Sequence, residues 1–157
     1  MVTLVEFEDE LYFTGPELTD AMVAAAEASF GYRLPASYVE VLRVRNGGTP
    51  VRRCFRTEFV TAWAPNYFAI DGLLGIGGVW GIEKSAYLIK EWDYPDIGVV
   101  FCATSADGYD AVMLDYRSGA PEPSVSYIDE DRVARVIAPT FSDFVARLET
   151  VGAIRAE

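Results

Sequence analysis

Residues 105–116 read Ser105-Ala106-Asp107-Gly108-Tyr109-Asp110-Ala111-Val112-Met113-Leu114-Asp115-Tyr116, and the chain returns as Ser124-Val125-Ser126-Tyr127-Ile128. Gly108 marks a turn. Residues 111–116 and 124–128 have the length and the apolar, β-branched content of strands. The turn at 119–123 between them is too short for a parallel crossover, so an antiparallel pair is expected. Just upstream, residues 97–103 form a continuous apolar run suited to a central strand buried on both faces. The three runs together make an antiparallel meander.

Working outward, Thr140 reads as the cap of a terminal helix, with Asp143 three residues on. Phe141, Phe144, Val145, Leu148 and Val151 fall at helical spacing and define one apolar face. At the other end, Thr14-Gly15-Pro16-Glu17 has the form of a capping box with proline just inside the helix start. That helix is expected to reach Phe30 and stop at Gly31. A second helix opens at Leu34-Pro35-Ala36-Ser37, buries Tyr38, Val41 and Leu42, and ends at Asn46-Gly47-Gly48. Residues 58–63 and 67–74 read as strands joined at Ala64-Pro65-Asn66, a turn composition. Residues 82–92 read as a short helix with Ile82, Ala86, Leu88 and Ile89 near one face, broken at Tyr94-Pro95-Asp96. This order predicts an α+β fold, a mainly antiparallel sheet with flanking helices, in one domain over residues 1–157.

Composition narrows the chemistry. The chain has no histidine, which removes Ser–His and Cys–His nucleophilic pairs and every imidazole metal site. Cys54 and Cys102 are far apart and form no zinc spacing, so buried free thiols are expected and no metal or cofactor. The net charge of −11 opposes binding to nucleic acid or to an anionic membrane and favours a cationic partner. Residues 1–13 lack the basic start and apolar run of a secretory signal. No segment approaches the ~18 uninterrupted apolar residues of a membrane span. A reduced, cytoplasmic protein is expected.

Charge is also unevenly placed. Residues 1–30 carry seven acidic side chains and no Lys or Arg, whereas residues 31–60 carry six arginines against Glu40 and Glu58. Two arrangements fit: the two segments pair with each other, or the acidic one faces a partner.

The motifs that resemble chemical sites are weak. Gly75-Ile76-Gly77-Gly78 has Trp80 where a dinucleotide fingerprint needs its third glycine, and reads better as a bulge or strand exit. Asp107, Asp110 and Asp115 lack the alternation of a calcium loop, and a hairpin turn accounts for them. Trp63, Trp80 and Trp92 read first as core residues, with one of them at a sheet edge as the alternative partner anchor. Acidic residues beside aromatics in turns are the best partner-binding candidates: Asp107, Tyr109, Asp110, Asp129, Glu130 and Asp131. The plainer reading leaves all six merely solvated.

The ordered set Leu34-Pro35-Ala36-Ser37-Tyr38, Asn46-Gly47-Gly48, Asp107-Gly108-Tyr109-Asp110 before Leu114-Asp115, Val125-Ser126-Tyr127 and Ala138-Pro139-Thr140-Phe141-Ser142-Asp143-Phe144 resembles the SUKH superfamily over roughly residues 14–150. That group contains cell-wall synthesis regulators of the Smi/Knr type and many bacterial immunity proteins. The resemblance implies an α+β fold and no enzymatic activity. It also implies a bacterial immunity protein that neutralises a cognate polymorphic toxin, often a nuclease, by direct contact. The alternative it offers is a regulatory protein–protein interaction scaffold. A toxin that grips nucleic acid is basic at its site, and an acidic antidote would complement it.

Overall fold

The computed structural model describes residues 4–106 and 108–156. Thr19, not Thr14, caps the first helix, α1 (Asp20–Phe30), by accepting the Met22 amide at 3.2 Å. Thr14 is unavailable because its hydroxyl donates to the Gly47 carbonyl. Gly31 ends α1 as expected, with φ at 75°. The second helix, α2 (Ala36–Val44), follows Pro35 and buries Tyr38, Val41 and Leu42.

Two antiparallel sheets follow. The first has the order β1 (Cys54–Arg56), β2 (Tyr67–Leu73), β4 (Cys102–Thr104). The second has the order β3 (Gly98–Val100), β5 (Ala111–Asp115), β6 (Ser124–Ile128), β7 (Ala134–Ala138). The meander expected around β5 and β6 is present, in register from Ala111 opposite Ile128 to Asp115 opposite Ser124.

The apolar run at 97–103 is not one strand. It divides at Phe101, so β3 joins the second sheet and β4 the first. Phe101 bonds to both sides, its amide to the Val112 carbonyl at 3.3 Å and its carbonyl to the Leu74 amide at 2.9 Å. Its fully buried ring lies edge-on to Tyr38, Phe141 and Phe144, and so stands at the junction of sheets and helices.

Three further expectations change. Residues 58–63 are a loop, because the Thr61 hydroxyl donates to the Tyr67 carbonyl and accepts the Trp63 and Ala64 amides, while the Thr61 amide donates to the Ala64 carbonyl, closing a turn. Residues 82–92 begin with a 3₁₀ turn (Ile82–Lys84) and continue as α3 (Ser85–Trp92). Its buried polar contact is Ser85, whose Oγ accepts the Val100 amide at 2.8 Å, while Ala86 is exposed. The terminal helix is broken into α4 (Phe141–Ala146) and α5 (Val151–Arg155). Thr140 does cap α4, by accepting the Asp143 amide at 3.1 Å. The break falls where Glu149 exchanges two backbone hydrogen bonds with Cys54 and its carboxylate grips Arg56 at 2.6 Å.

Phe55 lies between Phe68 and Phe144, and Phe68 stacks in turn on Tyr127 at 4.6 Å, so α4 covers the sheets through an aromatic column. Both cysteines are buried and free. No helix among the described residues is long and apolar enough to cross a membrane.

Candidate functional site

A cavity of about 300 Å³ opens where β2 and β4 meet the end of α3. One wall is an aromatic trio. Tyr12 and Phe13 meet edge-on at 4.9 Å, and each ring lies 5.4 Å from Trp80. Trp92, at the end of α3, lines it as well. Tyr12, Trp80 and Trp92 are 63%, 38% and 39% exposed, so the mouth is rimmed with accessible aromatic surface. None of the three tryptophans is a core residue; Trp63 too is exposed, although it does not line this cavity.

Local backbone chemistry builds this lining. The N-terminal arm lies along residues 48–51, through Glu8 N–H to the Thr49 carbonyl and Val51 N–H to the Glu6 carbonyl. Phe13 is seated directly on Gly72, where an added Cβ would come within 2.5 Å of the ring. Asn46 fastens the arm to the 75–80 loop. Its buried amide donates to the Pro16 and Ile76 carbonyls, both at 2.7 Å, and accepts the Ile76 N–H at 2.8 Å. Within that loop the Glu83 carboxylate accepts the Gly77 N–H at 2.8 Å. A glycine amide that a phosphate would need is thus already held by a carboxylate, which removes the phosphate-loop reading. Trp92 in turn packs over Gly108, whose φ of 79° and lack of Cβ leave room for the indole.

Two carboxylates line the cavity, Asp71, which is part-exposed, and Asp110, which is buried at its floor. Asp71 is the extra residue of a bulge in β2, between Ile70, paired with Thr104, and Gly72, paired with Ala103. Bulges re-aim side chains in this way beside functional sites. Asp71 Oδ1 accepts from Ser105 at 2.6 Å and from Arg53 at 3.4 Å. Asp110 is 3% exposed, its Oδ2 accepts from the Tyr127 hydroxyl at 2.6 Å, and its Oδ1 is buried without a hydrogen-bond partner among the described residues. Burial pushes the Asp110 carboxyl above the ordinary aspartate range, against the opposing pull of the nearby Thr104 and Tyr127 hydroxyls.

Of the six sequence candidates, Asp107 lies outside the described residues. Tyr109, Glu130 and Asp131 are exposed. Asp110 is not a surface charge but part of the cavity floor. Asp129 is committed to its own turn. It accepts the Asp131 and Val133 amides at 2.9 and 3.1 Å and forms an ion pair with Arg135. Burial would raise its pKa, but these donors outweigh it and hold the carboxyl below the usual value. Asp115 is also internal, accepting from Ser126 at 2.6 Å and Arg117 at 2.7 Å, so it does not converge with Asp110 on a calcium site.

The two acidic turns nevertheless adjoin each other. Arg132, at φ 64°, donates to the carbonyls of Gly108 and Tyr109 at 3.0 Å and of Trp92 at 2.9 Å. Its guanidinium lies 4.8 Å over the Tyr94 ring. One arginine therefore fixes the turn at 108–110, the turn at 129–132 and one wall of the cavity. Sequence reasoning missed this cavity. Its residues come from distant segments: Trp80, Trp92 and Asp110 stand out singly in the sequence, but nothing local brings them together with Tyr12, Phe13 and Asp71.

The expected charge pairing between the N-terminal acids and the arginines holds at Arg43 and Asp20, 2.7 Å apart. Arg45 instead donates to the Glu8 main chain, and Arg53 and Arg56 pair elsewhere, with Asp71 and Glu149. Glu6, Glu8, Asp9 and Glu10 stand exposed on the arm that delivers Tyr12 to the cavity.

The sequence profile of the SMI1 / KNR4 family (SUKH-1) matches residues 17–147. The chain belongs to the SUKH-1 family. The matched span covers α1 through α4 and so includes both sheets, Asn46, the cavity floor and Trp92. A search of the curated proteins returns no match. In this SUKH-1 chain, no group of three or more His, Cys, Asp or Glu side chains among the described residues is placed to hold a metal ion.

Proposed function

We propose that this SUKH-1 protein is a cytoplasmic, non-enzymatic immunity protein that neutralises a cognate bacterial toxin by direct contact, with residues 1–157 acting as one domain. The observation that carries this reading is the cavity with an exposed aromatic rim and a carboxylate floor, set in a chain of net charge −11. Aromatic anchors in a desolvated pocket with a polar surround are the anatomy of binding hot spots. The acidic surface selects a basic partner and speeds encounter with it. A toxin acting on nucleic acid would present such a basic surface at its own site. Nucleic acid itself is opposed by the same charge.

The test is co-expression with the product of the neighbouring gene. The expected result is a stoichiometric complex on purification and restored growth of cells carrying the toxin. A complex that leaves toxicity unchanged would favour the regulatory-scaffold reading, and absence of any complex would overturn the immunity role.

A further inference from the structure

We propose that the cavity lined by Trp80 and Trp92 is a guanidinium-binding pocket that takes one arginine side chain of the protein partner. This deepens the function proposed above and rests on it for the identity of the donor.

Three features converge on that ligand chemistry. First, four aromatic side chains line the cavity, the mutually packed Tyr12, Phe13 and Trp80 together with Trp92, and a planar cation stacks well on aromatic surface. Second, Asp71 is re-aimed by the β2 bulge, and the hydrogen bonds it receives among the described residues both fall on Oδ1. Its Oδ2 can accept a guanidinium donor. Third, Asp110 is buried beneath the same cavity, and among the described residues its Oδ1 has no hydrogen-bond partner within bonding geometry, with only the Thr104 hydroxyl nearby to offset a site of low dielectric. A neutral apolar ligand would satisfy the aromatic walls and leave both carboxylates desolvated. A cation satisfies all three features. Arginine fits better than lysine because its flat fork can stack and donate to a carboxylate at once.

Size agrees. About 300 Å³ is at the small end of ligand cavities and accommodates one long side chain. Arg53 already approaches Asp71 Oδ1 from outside the cavity at 3.4 Å. The incoming cation therefore joins an existing pair rather than meeting an isolated carboxylate.

The experiment uses the full chain and a defined probe, N-acetyl-arginine methylamide, with N-acetyl-citrulline methylamide as the uncharged isostere. The indole N–H signals of Trp63, Trp80 and Trp92 are followed by two-dimensional NMR. The expected result is a saturable shift of the Trp80 and Trp92 signals at roughly millimolar arginine probe, the affinity of a single anchored side chain. Trp63, which does not line the cavity, should stay still. The citrulline probe should bind about tenfold more weakly, as should the arginine probe to Asp71→Asn, the loss expected for one charge-assisted contact. Equal shifts at all three tryptophans, or equal affinity for citrulline, would overturn the pocket. If the arginine probe binds but no toxin complex forms, the pocket stands and the immunity role falls. If a toxin complex forms and Asp71→Asn and Trp80→Ala leave its affinity unchanged, the role stands and the pocket falls.

Discussion

The hydroxyl of Tyr127, at the centre of the second sheet, donates to Asp110 Oδ2 at 2.6 Å and accepts the Ala62 amide at 3.1 Å. One phenol thus ties the cavity floor to the loop at 57–66. Tyr127→Phe removes a donor from a buried carboxylate and an acceptor from a loop amide. The expected cost is about 1–3 kcal/mol in urea unfolding at neutral pH. A cost near zero would show that water replaces the phenol at both partners.

Asp110, just before β5, and Asp115, its last residue, shift in opposite directions, which gives a two-part pH prediction. The folded pKa of Asp110 is raised by burial, so the folded state binds its proton more tightly than the unfolded chain does. Its contribution to stability therefore declines as pH rises from the unfolded aspartate value, about 3.9, through the raised folded value. Asp110→Asn should flatten that decline. For Asp115, burial raises the pKa, but hydrogen bonds from Arg117 and Ser126 outweigh it and the net shift is downward. Its contribution is present above pH about 3.9 and is lost as pH falls through the lowered folded value. Asp115→Asn should weaken the protein at neutral pH and reduce its loss of stability in acid. Unfolding free energies between pH 3 and 7 for the two variants check both signs, and parallel curves for wild type and variants would refute them.

Gly108→Ala places a methyl group within 2.5 Å of the Trp92 ring and forces a side chain onto a backbone at φ 79°. The expected loss exceeds about 1 kcal/mol, with an altered Trp92 indole resonance. An unmoved indole would mean that the wall does not depend on this close approach.

Arg132 offers a paired test. Arg132→Ala and Arg132→Gly both remove the bonds to the carbonyls of Trp92, Gly108 and Tyr109, but only glycine suits φ 64°. Both should speed amide exchange at residues 108–110. Glycine should be the more stable variant by about 0.5–1 kcal/mol.

For the complex, the association rate should fall with added salt, because charges separated by more than a Debye length, about 8 Å at physiological ionic strength, are screened. Asp129 is a poor probe of this, since removing it orphans Arg135 and the turn. The clean variant combines Glu130→Ala with Asp131→Ala. It should slow association and leave the unfolding midpoint unchanged. A salt-independent rate that is also indifferent to this change would place the contact elsewhere.

Much of the fold could be read from local pattern. The β5–β6 hairpin, the Gly31 stop and the Thr140 cap rest on short-range chemistry, and all three are present. The losses occur where a distant partner overrides the local signal. Thr14 looks like a cap but spends its hydroxyl on Gly47, 33 residues away. The terminal amphipathic face continues to Val151, yet Glu149 leaves the helix to pair with Cys54. β7 escaped notice because it is a short edge strand, with Val136 exposed and Arg135 lying over Phe59. The cavity was unreadable for the same reason. Nothing near Asp71 in the sequence signals that a bulge will place it in the cavity lining.

Asn46 engages only main-chain atoms, the carbonyls of residues 16 and 76 and the amide of residue 76. The clamp requires Gly75 beside it to stay without a Cβ, but it does not engage the side chains further along the loop. Val79 and Trp80 can be exchanged without touching it, and so can the rim that a partner meets. The scaffold separates inheritance of shape from inheritance of specificity: a new rim needs only a few exposed substitutions, while the frame that displays it stays as it was.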